Sequence, residues 1–560
     1  MNQEAARVSS NQSFRRKSIS FEKIPQQSKL FLDFLKNDSA VNKFYPEKNT
    51  PLDQFAEKVL ENYRVDRNAL CDALTTINQN AGSGAKTFEN IELLRDADCL
   101  TIVTGQQAGL FSGAIYTIYK ALSAVRFAAD LRKQNIKAVP VFWIAEEDHD
   151  FDEIKKTYIL DEEGKLSETE NTPENLVENA PVGAIKFDET LKLTLQNLFG
   201  VLFGKLPRGG NTFELKNILS KTYQPGETFS TAFAKFVAAI FQDYGLIILS
   251  PLDANLKKLC APIFAEAVEK SSEIVAALLE KNDELERENY QPQVLVEKDS
   301  FPFFYQNENG ARQALRTNAD NGKVKVQKSR NEFETSELAE IARTSPQNLS
   351  PNALLRPVVQ DYLLPTLTYF GGAAEIAYFA QNSAIYKVLN RPVTPIRHRA
   401  SLTIIEPKHA RTMEKYALDL TDLFAGKEKI ESAIVEKFIS GEVAHRFDLV
   451  EAIIAEQLNM LGESLKSNEI TLAANLETRG KKILWHIDAL RKKYHRAELL
   501  KDETIRRRIE TLFVALLPHD ALQERTLNVA TFLSLYGKNF VEWVYEAIEL
   551  DEQRHQILYL

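Results

Sequence analysis

The fold of this chain is constrained most by residues 99–120, which read CLTIVTGQQAGLFSGAIYTIYK. A short apolar run at 100–103 leads into small and amide residues at 104–109, and a helical pattern follows from about residue 112. In an open α/β sheet this order gives a strand, the loop at its carboxyl end, and a helix whose free N–H groups face a ligand. The stretch therefore predicts an α/β core with a loop at 104–113.

Two further apolar runs extend the predicted sheet. Residues 138–145, AVPVFWIA, show no clean alternation, which is typical of a central parallel strand that is covered on both faces. Residues 245–253, GLIILSPLD, form a third run that ends in a carboxylate. Since the carboxyl ends of parallel strands bind ligands in open α/β sheets, the charged residues that follow these runs are candidate site residues.

The remaining patterns predict insertions and a helical domain. Two Asn-Gly pairs, at 309–310 and 321–322, are typical of hairpin turns. Residues 447–465 and 472–494 keep the 3,4 apolar spacing of a coiled coil, and the polar break between them predicts an antiparallel hairpin. An exposed apolar seam of this kind predicts a homodimer. The predicted division is a flexible tail at 1–20, the first part of the core at 21–160, a β-rich connective insertion at 161–225, the second part of the core at 226–405 with a β-hairpin insertion at about 290–330, a helical coiled-coil hairpin at 406–515, and a C-terminal segment at 516–560 that returns to the core.

Composition excludes several classes of function. The net charge of −9 argues against a general nucleic-acid or acidic-membrane partner, because phosphate binding needs clustered cations. No window approaches ~18 consecutive apolar residues, so neither a membrane span nor a signal peptide is predicted. The three scattered cysteines are too few for a disulfide framework or a thiolate metal site. We expect a cytoplasmic protein.

The glycines of the 104–113 loop permit close approach of a ligand. Gly105, Gly109 and Gly113 lack side chains, and the strand, loop and helix context supplies N–H donors for an anion. Their spacing matches neither G-x-G-x-x-G nor G-x-x-x-x-G-K-[ST], so it identifies no nucleotide. A structural tight turn is the alternative interpretation.

Five consecutive ionisable residues follow the second apolar run. Strand alternation predicts that Glu146, Asp148 and Asp150 point one way, and that Glu147 and His149 point the other. His149 fits a general base oriented by Asp148 or Asp150. A solvated acidic loop is the alternative, and a metal site is less favoured because the spaced ligands of zinc sites are missing.

Arginines further along the chain are candidate carboxylate ligands. Arg356, Arg397 and Arg399 each offer planar, bidentate donors, although a single arginine is more often structural. Tyr116 and Lys120 lie four residues apart on the predicted helix, so they can face one cleft. The alternative for this pair is one amphipathic helix face.

Six strings of residues carry a resemblance to a known family. They are TGQQAGLFSGAIYTIYKA at 104–121, FWIAEEDHDFDEI at 142–154, LLRPVVQDYLLPT at 354–366, GGAAEIAYFAQ at 371–381, RASLTIIE at 399–406 and LQERTLN at 522–528. In this order they resemble the bacillithiol-biosynthesis cysteine-adding enzymes, the BshC family, from about residue 99 to the C terminus. The chain departs from the pattern at 112–114, where other members often read GGP, and at 373, where proline is common.

The resemblance implies a fold and an activity. The fold is α/β, with a Rossmann-like core related to class I aminoacyl-tRNA synthetases and nucleotidylyltransferases, β-rich insertions and an α-helical coiled-coil domain linked to dimer formation. The activity is a ligase that adds L-cysteine to the amine of glucosaminyl-malate. Because a free carboxylate does not form an amide at neutral pH, an activated cysteine is expected, with ATP or ADP as the cofactor. No HIGH-type or KMSKS-type signature identifies the activating donor.

The predicted site combines these strings. Gln106, Gln107 and the helix that follows are expected to hold a phosphate or carboxylate, while residues 148–150 bind or deprotonate an amine. Two alternatives are a nucleotidylyltransferase or other adenylate-forming ligase on the same core, and a non-catalytic, coiled-coil dimeric scaffold that binds a nucleotide. The predicted catalytic residues are Asp148, His149 and Asp150, no metal ligands are predicted, and the predicted substrate-binding residues are Gly105, Gln106, Gln107, Gly109, Gly113, Tyr116, Lys120, Trp143, Glu146, Arg356, Gln360, Asp361, Glu375, Tyr378, Arg399 and Ser401.

Overall fold

A computed structural model describes residues 14–161, 163–204, 210–439, 441–466 and 469–560. The strands of the described residues are β1 (Arg15–Ile19), β2 (Leu100–Gln106), β3 (Ala138–Ile144), β4 (Lys156–Leu160), β5 (Leu166–Glu170), β6 (Ile247–Leu249), β7 (Ser300–Gln306), β8 (Arg312–Thr317), β9 (Val324–Val326), β10 (Glu332–Phe333), β11 (Leu349–Pro351), β12 (Thr366–Gly371), β13 (Ile396–His398), β14 (Leu402–Ile405) and β15 (His555–Tyr559). Their α-helices are α1 (Lys29–Leu35), α2 (Ser39–Asn42), α3 (Leu52–Asn62), α4 (Arg67–Ala81), α5 (Ala85–Leu94), α6 (Tyr116–Lys133), α7 (Phe151–Ile154), α8 (Thr190–Phe203), α9 (Gly210–Thr222), α10 (Phe229–Ile240), α11 (Ala254–Glu269), α12 (Ser271–Arg287), α13 (Thr335–Thr344), α14 (Arg356–Leu363), α15 (Ala373–Val388), α16 (Pro407–Tyr416), α17 (Leu420–Leu423), α18 (Lys427–Ile434), α19 (Gly441–Lys466), α20 (Ile470–Lys501), α21 (Glu503–Leu516), α22 (Gln523–Thr526), α23 (Ala530–Tyr536) and α24 (Asn539–Ala547).

A parallel five-stranded sheet forms the centre of the core, with the strand order β13-β12-β2-β3-β6. Along the chain the sheet grows from β2 through β3 to β6, and then continues on the other side of β2 with β12 and β13. The order therefore reverses between β2 and β12, which is the topological switch point where doubly wound sheets bind ligands. This confirms the predicted α/β core and places its crevice at the carboxyl ends of β2 and β12.

Helices cover the central sheet because its strands are apolar on both faces. All seven residues of β3 and the first six of β2 are buried, and α6 packs on both strands. The edge strand β6 is closed by a side chain. Asn78 donates to the Ile248 carbonyl at 2.9 Å and accepts from the Ile248 N–H at 3.0 Å, so it takes the place of a further strand.

The connective insertion at 161–225 is only partly a β structure. It begins in the hairpin β4–β5, but α8 and α9 make up most of the rest. Leu191, Leu198 and Leu202 are buried along one side of α8, a helical spacing that outweighs the short β-favouring segments in this region. Between β5 and α8 the chain forms a 3₁₀ turn at Val182–Ala184 and a single bridge from Lys186 to Thr228, and no further strand of the predicted β-rich insertion.

The second insertion forms the predicted hairpins and reaches further along the chain. Strands β7, β8 and β9 are joined by turns in which Gly310 and Gly322 have φ values of +81° and +73°, which favour glycine. The sheet order is β10-β9-β8-β7-β11, so residues up to Pro351 belong to this layer.

The N-terminal segment differs from the expected flexible tail at 1–20. Residues Arg15–Ile19 form β1, which pairs antiparallel with β15, and β15 pairs parallel with β14. Residues 1–13 lie outside the described part of the chain. The strand forms because the C-terminal strand offers an unpaired edge, a partner more than 530 residues away that local composition does not indicate.

The helical domain contains the predicted antiparallel hairpin. Helices α19 and α20 pack along each other. Arg491 on α20 forms ion pairs with Glu436, Asp448 and Glu451. Large apolar side chains remain exposed on the two helices: Leu449, Val450, Ile453, Met460, Leu461, Leu472, Ile483, Trp485 and Leu490. Among the described residues, no helix combines the length and the apolar character that a membrane crossing needs.

Candidate functional site

A buried lysine connects the two strands at the switch point. The Lys120 ammonium lies 2.9 Å from the Gly105 carbonyl, 2.9 Å from Gln106 Oε1 and 2.5 Å from Glu375 Oε2. Lys120 is 3% exposed, so all its donors serve the protein interior. It therefore fixes the end of β2 against the start of α15. Lys120 was predicted to face a cleft, but its ammonium is buried and contacts other parts of the protein.

Glu375 completes this connection from the β12 side. Its carboxylate accepts from the Gly372 N–H at 2.7 Å and from the Tyr369 hydroxyl at 2.6 Å. Burial alone would raise the pKa of Glu375, but the Lys120 charge and these hydrogen bonds outweigh burial and lower the pKa below its ordinary value. The Lys120 charge thus favours the ionised form of Glu375, while burial lowers the pKa of Lys120 itself.

Arg356 begins α14 and stands beside the same carboxyl ends. Its guanidinium donates to the Tyr378 hydroxyl at 2.8 Å and to Gln360 Oε1 at 3.1 Å, and it lies over the Tyr369 ring. Gln360 is fully buried, and Asp361 accepts from Gln360 and from a tyrosine hydroxyl. These two predicted substrate contacts therefore belong to the hydrogen-bond network that holds Arg356 in place.

Fewer residues of the 104–113 loop are accessible to a ligand than the sequence predicts. A Cβ on Gly105 would lie 2.6 Å from the Trp143 carbonyl, and one on Gly109 would lie 2.9 Å from the Gly113 Cα, so both glycines are required for packing. Gln106 and Gly113 remain partly exposed. The middle of the loop, 108–112, is buried.

The C-terminal segment covers the start of α6. The Asn528 amide donates to the Phe111 and Gly113 carbonyls at 2.8 Å each, and the Ile115 N–H donates to the Leu527 carbonyl at 2.8 Å. The helix N terminus that the sequence offers to an anion is thus occupied by the chain itself. Sequence reasoning found the 522–528 string by resemblance, but not this role.

The first two acidic residues after β3 are structural. Glu146 is 2% exposed and accepts from Ser230 Oγ, Ser250 Oγ and the Leu252 N–H, and burial raises the pKa of Glu146. Glu147 forms a buried ion pair with Lys257. β3 ends at Ile144, so strand alternation does not continue into the cluster, and the predicted substrate contact at Glu146 is instead an anchor for the loop.

The other acidic residues lie at the accessible edge. Asp148 accepts from Gln107 Nε2 at 2.8 Å with one oxygen and from the His149 N–H at 2.7 Å with the other. Asp150 is exposed and caps the short helix α7 by accepting from the Glu153 N–H. The 104–113 loop follows β2 and is called the β2 loop below, and residues 146–150 are called the acidic cluster. The Gln107–Asp148 contact joins the two, as expected for segments that follow adjacent parallel strands.

A cavity of about 360 Å³ opens beside this contact, between the core and the β7–β11 layer. Its polar lining includes Asp148, His149, Arg312 and Arg356, and its apolar lining includes Phe304. The predicted contact Trp143 forms part of the wall and is 1% exposed. Arg312 stacks on the Phe304 ring at 3.6 Å and was not indicated by any sequence pattern.

The remaining predicted residues are grouped around Arg399, whose neighbour Tyr116 contacts the 104–113 loop. Arg399 makes a bidentate pair with Glu524 at 3.0 and 2.8 Å, and Ser401 also donates to Glu524. Both side chains border a second cavity of about 410 Å³, while Tyr116 lies under the Arg399 guanidinium and accepts from Gln106. Arg397 lies over the Phe127 ring and 3.8 Å from the exposed Asp551 carboxylate. Arg399 is therefore neutralised by a partner that the sequence does not reveal.

No cluster of three or more His, Cys, Asp or Glu side chains in the described ranges is arranged to hold a metal ion. The cations beside the β2 loop are already paired, and the amides at 108–112 are buried. This part of the site consequently offers no cradle for a triphosphate.

Two family models match this chain over nearly its whole length. “Bacillithiol biosynthesis BshC, N-terminal Rossmann-like domain” matches residues 15–400, and “Bacillithiol biosynthesis BshC, C-terminal coiled-coil domain” matches residues 402–560.

Similar curated proteins carry the name “Putative cysteine ligase BshC”. The protein from Koribacter versatilis is 33% identical over 94% of this chain and 97% of its own length, and the one from Solibacter usitatus is 31% identical over 96% and 98%. The protein from Salinibacter ruber is 30% identical over 94% and 96%. The chain was also compared with a solved structure of a “putative arginyl t-RNA synthetase” from Campylobacter jejuni. The alignment includes 86% of this chain and 98% of that one at 10% identity, and its TM-score is 0.22.

Proposed function

Because the chain belongs to the bacillithiol-biosynthesis BshC family, we propose that it is a ligase that joins L-cysteine to the amine of glucosaminyl-malate. The observation that carries the proposal is the contact of Gln107 with Asp148 at 2.8 Å. It brings the two most distinctive strings of the family resemblance together beside one cavity, at the carboxyl ends of adjacent parallel strands.

Roles for the side chains follow from their chemistry. The Asp148 carboxylate is 40% exposed and lies 3.8 Å from Arg312 Nη1, beyond hydrogen-bond distance, so it is suited to accept a proton from the substrate ammonium. Arg356 has further N–H donors near the same cavity, which suits a malyl carboxylate. The Gln107 amide fixes the direction of Asp148.

Cysteine must be activated before it forms an amide, and ATP or ADP is the proposed cofactor. When bound, the nucleotide would supply a leaving group for the cysteine carboxylate. The residues around the β2 loop do not fit its phosphates, since Lys120 and Arg399 are both paired with buried carboxylates. We therefore assign no step of the reaction to a nucleotide at this loop.

Asp148→Asn tests the proposed proton acceptor. We expect about a hundredfold loss of cysteinyl-glucosaminyl-malate formation, because the amide keeps the shape but does not accept the proton. Product is measured by mass spectrometry with both substrates and ATP. Asp152→Asn is the matched control, since Asp152 is exposed and its carboxylate pairs with Lys155 on the same short helix turn. Equal activity of the two variants would remove Asp148 from the chemistry.

The same assay separates the alternatives. A nucleotidylyltransferase or another adenylate-forming ligase would consume ATP without forming the cysteinyl product, and a scaffold would bind ligand without turnover. A product of the expected mass from wild-type protein would exclude both.

We also propose that the protein is a homodimer through its helical hairpin. Leu449, Ile453 and Met460 are about half exposed on α19 and follow spacings of four and seven residues, so they line one face. An unpaired apolar face of this length is unfavourable in water.

Light scattering tests the dimer. The double substitution Ile453→Glu, Met460→Glu is expected to lower the solution mass from twice 63.5 kDa to 63.5 kDa, because two charges on each chain must otherwise be buried. Phe213→Glu, at an apolar side chain 68% exposed outside the hairpin, is the control and leaves the mass unchanged. A dimer that survives the double substitution would place the interface elsewhere.

A further inference from the structure

The environment of His149 restricts which of its nitrogens carries the proton. Arg312 Nη1 lies 3.1 Å from His149 Nδ1. A guanidinium has only donors, so Nδ1 must be the acceptor of this hydrogen bond. A neutral imidazole that accepts at one nitrogen carries its proton on the other, and the proton of His149 is therefore on Nε2.

Arg312 is held firmly enough to impose this choice. It is 8% exposed, donates to Ser350 Oγ at 2.8 Å and to the Pro351 carbonyl at 3.0 Å, and stacks on Phe304. The guanidinium thus bridges β8 to β11 and presents its remaining donor edge to His149. Rotation away from the ring would break three contacts at once.

The charges around His149 agree with a neutral ring. Burial and the Arg312 charge lower the pKa of His149, and the nearby Asp148 and Asp150 carboxylates oppose them without reversing the shift. Asp148 Oδ1 lies 3.6 Å from Nδ1, beyond the direct contact that Arg312 makes. Arg312 and the two carboxylates are the charged groups that face the ring, and the Phe304 ring packs beside it.

We propose that His149 acts in this cavity as a hydrogen-bond donor through Nε2–H to an anionic oxygen of the substrate, and that Arg312 is the positioning residue that fixes this tautomer. The inference rests on the proposed function for the identity of the substrate, although the tautomer does not depend on it. It replaces the general-base role expected from the sequence. A base at Nε2 would need the proton on Nδ1. The Nδ1–H of His149 would then point at the Nη1–H of Arg312, and neither could accept a hydrogen bond from the other.

Two amide substitutions distinguish a donor from a base. The side-chain nitrogen of glutamine takes the position of Nε2, whereas that of asparagine takes the position of Nδ1. For a donor, His149→Gln keeps ligase activity within about fivefold of wild type, and His149→Asn loses more than about tenfold. For a base, both variants lose activity equally, since neither amide accepts a proton. Equal activity of the two variants, at any level, overturns the donor role.

A second measurement needs no turnover. In protein labelled with ¹⁵N at histidine, two-bond ¹H–¹⁵N spectra report which ring nitrogen is protonated, and the His149→Gln spectrum identifies the signals of His149. We expect wild-type His149 to carry its proton on Nε2 and to be mainly neutral between pH 8 and the ordinary histidine value of 6.5, because burial and Arg312 lower its pKa. A proton on Nδ1, or a doubly protonated ring in this range, overturns the inference.

Removal of Arg312 tests its positioning role. In Arg312→Gln the positive charge beside the ring is gone while Asp148 and Asp150 remain, so His149 is expected to titrate at a higher pH than in wild type. An unchanged titration in a folded variant would show that Arg312 does not control the ring. If Arg312→Gln fails to fold, the proposal is still tested by the tautomer of His149 in wild-type protein and by the activities of His149→Gln and His149→Asn. A wild-type protein without ligase activity but with the expected tautomer would contradict the proposed function alone.

Discussion

Glu524→Gln is expected to destabilise the protein by about 3–5 kcal/mol, because it leaves the buried Arg399 guanidinium without its counter-charge. The two carboxylate oxygens of Glu524 together accept from Arg399, Ser401 Oγ and the Leu402 N–H at 2.7–3.0 Å. Glutamine offers one oxygen and turns an N–H toward donors that need an acceptor. The midpoint of urea unfolding, followed by circular dichroism, measures the loss.

The pH dependence identifies this carboxylate specifically. Burial alone would raise the pKa of Glu524, but the Arg399 charge and hydrogen bonds outweigh it and lower the pKa from 4.5 to about 2. A depressed folded pKa contributes stability that is complete above the unfolded value and is lost as pH falls toward the folded one. The wild-type protein should therefore lose this contribution between about pH 4.5 and pH 2, whereas Glu524→Gln should lack that part of the acid dependence.

Removal of both charges provides the control. Arg399→Met combined with Glu524→Leu leaves no isolated charge, so the double variant should recover a large part of the lost stability. If Glu524→Gln alone unfolds at the wild-type urea concentration, the pair does not anchor the C-terminal segment to the core.

The sequence predicted the parts of the site that depend on local pattern. The β2 loop and the acidic cluster each follow a contiguous apolar run, and parallel strands bring their carboxyl ends together. The closeness of the 104–113 loop and the acidic cluster, seen in the contact of Gln107 with Asp148, is therefore a long-range relation that the sequence pattern predicts. The roles of these residues in catalysis remain predictions.

The residues that sequence reasoning missed are partners from distant parts of the chain. Arg312 reaches His149 from a hairpin 163 residues later, and Glu524 reaches Arg399 across 125 residues. Asn528 holds the Phe111 carbonyl across 417 residues. Glu524 and Asn528 lie in the 522–528 string that carries the family resemblance, but no local pattern indicates which distant residue each of the three side chains contacts. Which arginine is free to bind substrate depends on these pairings, and composition contains no information about them.

Lys120→Met is expected to cost about 3–5 kcal/mol of stability at neutral pH, because it leaves the Glu375 carboxylate buried without a cation. Methionine fills the volume of the lysine stem but removes the donors to the Gly105 carbonyl, Gln106 Oε1 and Glu375. In wild type the pKa of Glu375 is lowered, and without Lys120 burial is left to raise it. Relative to wild type, the variant should therefore lose stability as pH rises through the titration of Glu375, since a carboxylate whose folded pKa has been raised costs stability once it ionises.

Glu375→Gln added to Lys120→Met separates stability from function. In the double variant neither residue of the pair carries a charge, so its urea midpoint should recover and lose the pH dependence that the Glu375 carboxylate causes. Its ligase activity should stay at least about tenfold below wild type, because the end of β2 still lacks the donor that fixes Gln106 and, through the loop, Gln107 beside Asp148. Full recovery of activity would mean that the Lys120–Glu375 pair stabilises the fold without positioning the site.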